Sequence, residues 1–105
     1  MIKKVLIADH GDVAIRLLSE FKRAGVKTVA VYTVLDVNSE HVRLADEVVC
    51  IGDTQKSYSD WQRIISAAEI SEVDAIHPGD GPLSTHERFA EVCSELGVQL
   101  LGRNA

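Results

Sequence analysis

Along the chain, short runs of apolar and often β-branched residues alternate with longer segments in which apolar residues recur every three or four positions. The short runs read as strands covered on both faces and the longer segments as amphipathic helices laid over them, which predicts a parallel sheet with crossover helices. Lys4 to Ala8, Thr28 to Thr33, Glu47 to Ile51, Ala75 to His77 and Gln99 to Leu101 are the five expected strands. Between the first two, Ala14, Leu17, Leu18, Phe21 and Ala24 share one helical face, while Arg16, Ser19, Glu20 and Arg23 point elsewhere. This helix should stop at Gly25, which can adopt the left-handed conformation, and Leu96-Gly97-Val98 repeats the device. Trp61, Ile64, Ile65 and Ala68 stripe another helix, and Phe89, Val92, Cys93 and Leu96 a further one. A short helical turn around Ser39 to Leu44 fills the remaining crossover, and the polar, aperiodic loop Gly52 to Ser57 is expected to be mobile.

Right-handed crossovers leave few topologies, and the expected sheet runs 3-2-1-4 with the last strand beside the fourth. Winding then reverses between strands one and four, and ligands of open sheets bind outside the carboxyl ends that flank such a reversal. Two loops should therefore face each other: Asp9-His10-Gly11-Asp12 and His77-Pro78-Gly79-Asp80-Gly81-Pro82. In the second, proline fixes φ and glycine permits values closed to other residues, so it reads as a shaped turn under a ligand or another domain.

The 105 residues suffice for one core and no second lobe, so a single domain over 1–105 is expected. Eleven Lys and Arg against sixteen Asp and Glu give a formal charge of −5, which repels phosphate backbones and anionic membranes and argues against nucleic-acid or membrane partners. Apolar runs such as Val48 to Ile51 fall far short of the roughly 20 residues of a spanning helix. Met1 to Val5 leads directly into structured sequence, so a cytoplasmic location is expected. Cys50 and Cys93 lie in apolar stretches without a CxxC partner and are expected as reduced, buried thiols.

Candidate chemistry is sparse. A dinucleotide site needs three spaced glycines at the first helix, where only Gly11 stands, and the Asp12 carboxylate would repel a phosphate there. Asp36 has the placement of a ribose-binding acid but lacks those glycines. Ser84 and Glu87 fit a capping box that would occupy backbone donors of the last helix. His10 and His77 sit at strand ends with side chains suited to acid–base work near neutral pH; the plainer reading is that each hydrogen-bonds a neighbouring loop, because no nucleophile or orienting acid accompanies them. Asp9, Asp12 and Asp80 would make an acidic cation pocket of the phospho-acceptor receiver kind. Such a receiver also needs an Asp at the third strand and a Lys after the fifth, whereas Asp53 lies beyond Gly52 and Leu101-Gly102-Arg103 has no Lys.

Certain segments, taken together, resemble the N-terminal domain of biotin carboxylase, the ATP-dependent component of acetyl-, pyruvate- and propionyl-CoA-type carboxylases. They are Lys4 to Ala8 before Gly11, Ala14-Ile15-Arg16, Gly25 to Val31, His41-Val42 with Ala45-Asp46-Glu47, Cys50-Ile51-Gly52, Lys56-Ser57-Tyr58, Ile64 to Ala68, and Ala75 to Gly79 with Gly81, Leu83 and Ser84. The resemblance implies a three-layer, Rossmann-like domain preceding an ATP-grasp module, with a mostly parallel five-stranded sheet and helices on both faces. It implies that ATP, Mg and biotin serve the complete enzyme and that no cofactor is bound by this chain alone. His77, Pro78, Gly79, Asp80 and Gly81 would line the biotin side of the cleft, with Asp9, His10 and Gly11 as the first-strand loop and Arg16 on a dimer-forming helix. No residue of this chain is given a catalytic or metal-ligand role. The implied partners are the remaining ATP-grasp and C-terminal parts of a carboxylase and a second copy in a homodimer.

The chain departs from the family pattern in those same places. Asp9-His10 stand for Asn-Arg, Asp80 and Pro82 for aromatics, Thr85-His86 for Glu-Asn, and Ser19 and Arg23 alter the charge pattern of the first helix. Three readings follow: a carboxylase part that is silent alone, a stand-alone binding, regulatory or oligomerisation module using Asp80 and its neighbours, and a small enzyme working through His10 and His77.

Overall fold

A computed structural model describes residues 1–102. The elements are β1 (Lys4–Ile7), α1 (Gly11–Arg23), β2 (Lys27–Thr33), α2 (Glu40–Leu44), β3 (Glu47–Gly52), α3 (Trp61–Ser71), β4 (Ala75–His77), α4 (Glu87–Glu95) and β5 (Gln99–Leu100), with single 3-10 turns at Val34–Asp36, Gln55–Ser59 and Pro82–Thr85. The strands form one sheet in the order β3-β2-β1-β4-β5, and every pairing is parallel. The expected order and element series hold, and "mostly parallel" becomes all parallel.

Alternation along the central strands divides the core into two layers. Val5, Ile7, Ala30 and Ala75 meet Ala14, Leu17 and Leu18 of α1 on one face. On the other, Leu6, Val29, Val31 and Ile76 meet Ile64 and Ile65 of α3 and Phe89 and Cys93 of α4. Each fully buried Leu, Ile, Val or Phe here contributes roughly 1.5–3 kcal/mol, which makes this double core the main source of stability. Gly25 stops α1 as expected, with φ at 78° and the Val26 N–H folding back 3.0 Å from the Phe21 carbonyl.

Four local expectations are corrected. Cys50 is exposed, because β3 borders the sheet and alternates packed Val49 and Ile51 with outward Val48 and Cys50; Cys93 is buried. The stretch Gly52 to Ser57, expected to be aperiodic, instead runs into the Gln55–Ser59 turn, where Ser57 and Tyr58 are buried while Asp53 to Lys56 stay exposed. Ser84 and Glu87 form no capping box. Pro82 opens a separate 3-10 turn in which Ser84 Oγ donates to the Gly81 carbonyl at 2.8 Å, so α4 begins only at Glu87 and is capped by His86, whose Nδ1 accepts the Phe89 N–H at 3.1 Å. Finally, β1 and β5 each end one residue before the strand boundary the sequence suggests.

Candidate functional site

The register that pairs Ile7 with His77 brings the loops after β1 and β4 out of the sheet side by side. The Ala8 N–H continues the ladder to the His77 carbonyl at 2.9 Å, and Asp9 then ties the loops together. Its Oδ1 accepts the His10 N–H at 2.8 Å and its Oδ2 accepts the Asp80 N–H at 3.0 Å. Gly79 lies against this carboxylate with φ at 70°, and a Cβ there would stand 2.1 Å from Asp9 Oδ2. Both the backbone angle and the close approach demand glycine.

Beneath the joined loops is a cleft of about 210 Å³ whose walls include Asp9, His10, Gln55, Tyr58, Pro78, Gly81 and Pro82. The His10 imidazole lies over the Tyr58 ring, with centroids 4.4 Å apart and planes 40° apart. The Tyr58 hydroxyl donates to Asp36 Oδ2, while Asp36 Oδ1 accepts the Thr33 N–H at 2.6 Å and the Thr33 hydroxyl at 3.0 Å. His41 Nε2 lies 3.0 Å from the Val31 carbonyl nearby. Burial acts to raise the Asp36 pKa, but the hydrogen bonds from Tyr58 and Thr33 outweigh it and hold the carboxyl below its ordinary value. Burial, reinforced by the Asp36 carboxylate, pushes the Tyr58 hydroxyl up. Asp36 therefore serves as a strut, with both oxygens engaged by groups of the fold itself. Tyr58 and His41 were not singled out by site reasoning on the sequence. The available signal was an aromatic residue inside an otherwise polar loop.

The two strand-end histidines do not share the cleft, contrary to the reading that placed both at the crevice. His77 has the same parity along β4 as Ala75, so its half-buried ring goes to the α1 side of the sheet. There it meets Phe21 edge-on at 6.4 Å, and Gly102 closes over it so tightly that a Cβ would stand 2.6 Å from the ring. His77 Nδ1 accepts the Gly79 N–H at 3.1 Å, the loop-stabilising role of the plainer reading. Burial pushes its pKa below the ordinary 6.5, against the pull of Asp80. Asp12 opens α1, Arg16 is exposed on α1 with Glu20 at 4.0 Å, and Asp80 is exposed. Among the described residues no group of three or more His, Cys, Asp or Glu is arranged to hold a metal ion. A second groove, of about 420 Å³, lies between β3 and α3; its Arg63 is already engaged by the Ile51 carbonyl at 2.7 Å and by Asp60 at 3.2 Å.

An open, all-parallel sheet flanked by helices, with a crevice at its winding reversal, defines an α/β domain of the doubly wound kind, a class in which ligands generally bind at the carboxyl rim. The chain belongs to the biotin carboxylase N-terminal domain family, whose model matches residues 1–105. Biotin carboxylase 1 of Bacillus subtilis is 43% identical over the whole of this chain and 24% of its own length. Biotin carboxylase of Haemophilus influenzae is 46% identical with the same coverage. Among solved structures, a biotin carboxylase complex from Campylobacter jejuni superposes with a TM-score of 0.94 at 39% identity, over 97% of this chain and 23% of that one. The biotin carboxylase domain of the Hydrogenobacter thermophilus 2-oxoglutarate carboxylase, solved as a dimer with MgADP, ADP and bicarbonate, gives 0.92 at 39% identity over the same shares. The chain thus spans about a quarter of the length of these relatives. Among the described residues no helix is long and apolar enough to cross a membrane.

Proposed function

We propose that this domain forms one wall of the active-site crevice in a biotin-dependent carboxylase, with Pro78 to Gly81 and Asp9 to Gly11 as the lining loops, and that it is catalytically silent by itself. The observation that carries this reading is the Asp9 bridge to the Asp80 backbone, which shapes two distant segments into a single open rim. Support also comes from the match of the whole chain to the biotin carboxylase N-terminal domain. In such an enzyme ATP and Mg provide the chemistry that activates bicarbonate for transfer to biotin. The residues of this chain do not fit either group: only Gly11 stands where a phosphate loop would need three glycines, Asp12 opposes an anion at α1, and the described residues hold no cluster of metal ligands. The domain's contribution is therefore to shape and orient, and the reaction's charge stabilisation falls to the ATP-grasp portion.

The face of α1 that carries Arg16 is proposed as a homodimer contact. Arg16 is exposed and only distantly paired with Glu20, which leaves its guanidinium available to a second copy. The decisive experiment mixes the chain with the ATP-grasp and C-terminal portion of a bacterial biotin carboxylase and follows biotin-dependent ATP hydrolysis. Activity should require both pieces. No recovery with a demonstrably folded partner, or turnover by this chain alone, would overturn the reading.

A further inference from the structure

Tyr58 is held at both ends. Its hydroxyl donates to Asp36, a residue fixed in the turn after β2 by the Thr33 N–H and hydroxyl, and its ring supports the His10 imidazole at 4.4 Å. Three loops of the carboxyl rim, those after β1, β2 and β3, are thereby linked in series. The His10 backbone is anchored by Asp9, but among the described residues its imidazole makes no hydrogen bond, so the aromatic contact is what orients it. Other acceptors near the Tyr58 hydroxyl, the Val31 carbonyl and His41 Nε2, both stand at 3.5 Å, too far to aim the ring in place of Asp36.

We propose that Tyr58 is a positioning residue of the crevice: Asp36 aims the phenol ring, and the ring fixes the His10 imidazole at the mouth of the cleft. His10 thus presents a set face to whatever the rim receives, while Asp36, without reaching the cleft wall itself, governs that presentation. The inference concerns the geometry of the rim and does not depend on the reaction the crevice serves. Its test is made on the chain alone, so a failure of the carboxylase reading leaves it standing, and the reverse also holds.

The experiment is solution NMR of the imidazole C–H signals, with those of His10 assigned by their loss in His10→Gln. Stacking on Tyr58 should displace the His10 signals upfield and give cross-relaxation between the two rings. Tyr58→Leu should return the signals to the position of a free histidine. Tyr58→Phe keeps the ring but cuts its link to Asp36, and should lose most of the displacement while the signals of His77, on the other face of the sheet, stay in place. That selective loss is one a merely structural role would not produce. Should Tyr58→Phe fail to fold, Asp36→Ala serves the same purpose with the tyrosine retained, since it removes the acceptor that aims the ring. Unchanged His10 signals in the folded variant, or no contact between the rings in the wild type, would overturn the proposal.

Discussion

His77 is half-buried between Phe21 and Gly102, and the proton it would take up on acidification has no good place in the fold. Burial lowers its pKa in the folded state, whereas unfolding restores the ordinary 6.5, so between these values the unfolded chain binds more protons. Stability is therefore complete above about pH 6.5 and is lost as pH falls through that window toward the lower folded value, where the loss levels off. Protonation also abolishes the acceptor at Nδ1 that holds the Gly79 N–H. The urea midpoint should fall as pH drops below about 6.5, and His77→Gln should flatten that part of the profile. An identical slope in the variant would contradict the assignment. At the neighbouring residue scale, Gly79→Ala should cost about 2 kcal/mol or more. Left-handed backbone strain alone is worth ~1–2 kcal/mol, and the new methyl must also displace Asp9. Chemical denaturation measures this, and a cost near zero would mean the loop–loop bridge is loose.

At the scale of elements, α4 shows how a local rule can be right in kind and wrong in place. The sequence pattern Ser84-x-x-Glu87 satisfies the capping-box template, but Pro82 initiates its own turn and absorbs Ser84, leaving the cap to His86. His86→Ala should then cost about 1 kcal/mol, with Asp at this position restoring most of it, whereas Ser84→Ala should have a smaller effect. A larger loss at Ser84 would reinstate the capping box. The same contrast separates what was legible from what was not. Strands and helices follow from apolar period, and the stops at Gly25 and Gly97 follow from glycine, because these signals lie within a few residues of the feature they specify. The end of α3 had no such signal: Glu72 takes the left-handed position there with φ at 55°. Cys50 was misplaced because an apolar run does not reveal whether its strand is central or at the border. The facing loops were legible from topology, since strand order and handedness determine which loops share a rim. The Asp36–Tyr58–His10 linkage was not, because it joins segments 22 and more residues apart through side-chain directions that no periodicity encodes.

The whole molecule uses aspartates on both rims of the sheet, to different ends. At the amino rim, Asp74 Oδ2 accepts the N–H groups of Lys3 at 2.7 Å and Lys4 at 2.9 Å, while Asp46 Oδ2 accepts that of Thr28 at 2.9 Å. Each stands just before its own strand and fixes the start of the neighbouring one, and these backbone hydrogen bonds hold both carboxyls below the ordinary 3.8. Their contribution is thus present above that value and lost as pH falls below it, a more acidic window than that of His77. At the carboxyl rim, Asp9 and Asp36 fix loops against loops, so what they hold is the shape of the crevice. This division predicts separable phenotypes. Asp46→Ala and Asp74→Ala should lower the urea midpoint while leaving the NMR signals of His10 and His77 where they are. Asp9→Ala should displace the His10 signals, because it frees the backbone of the first loop from the Asp80 turn, with a smaller change in midpoint. If Asp9→Ala instead behaved like the amino-rim variants, the rim proposed to carry function would be serving only stability, and the crevice would have to be sought elsewhere on the molecule.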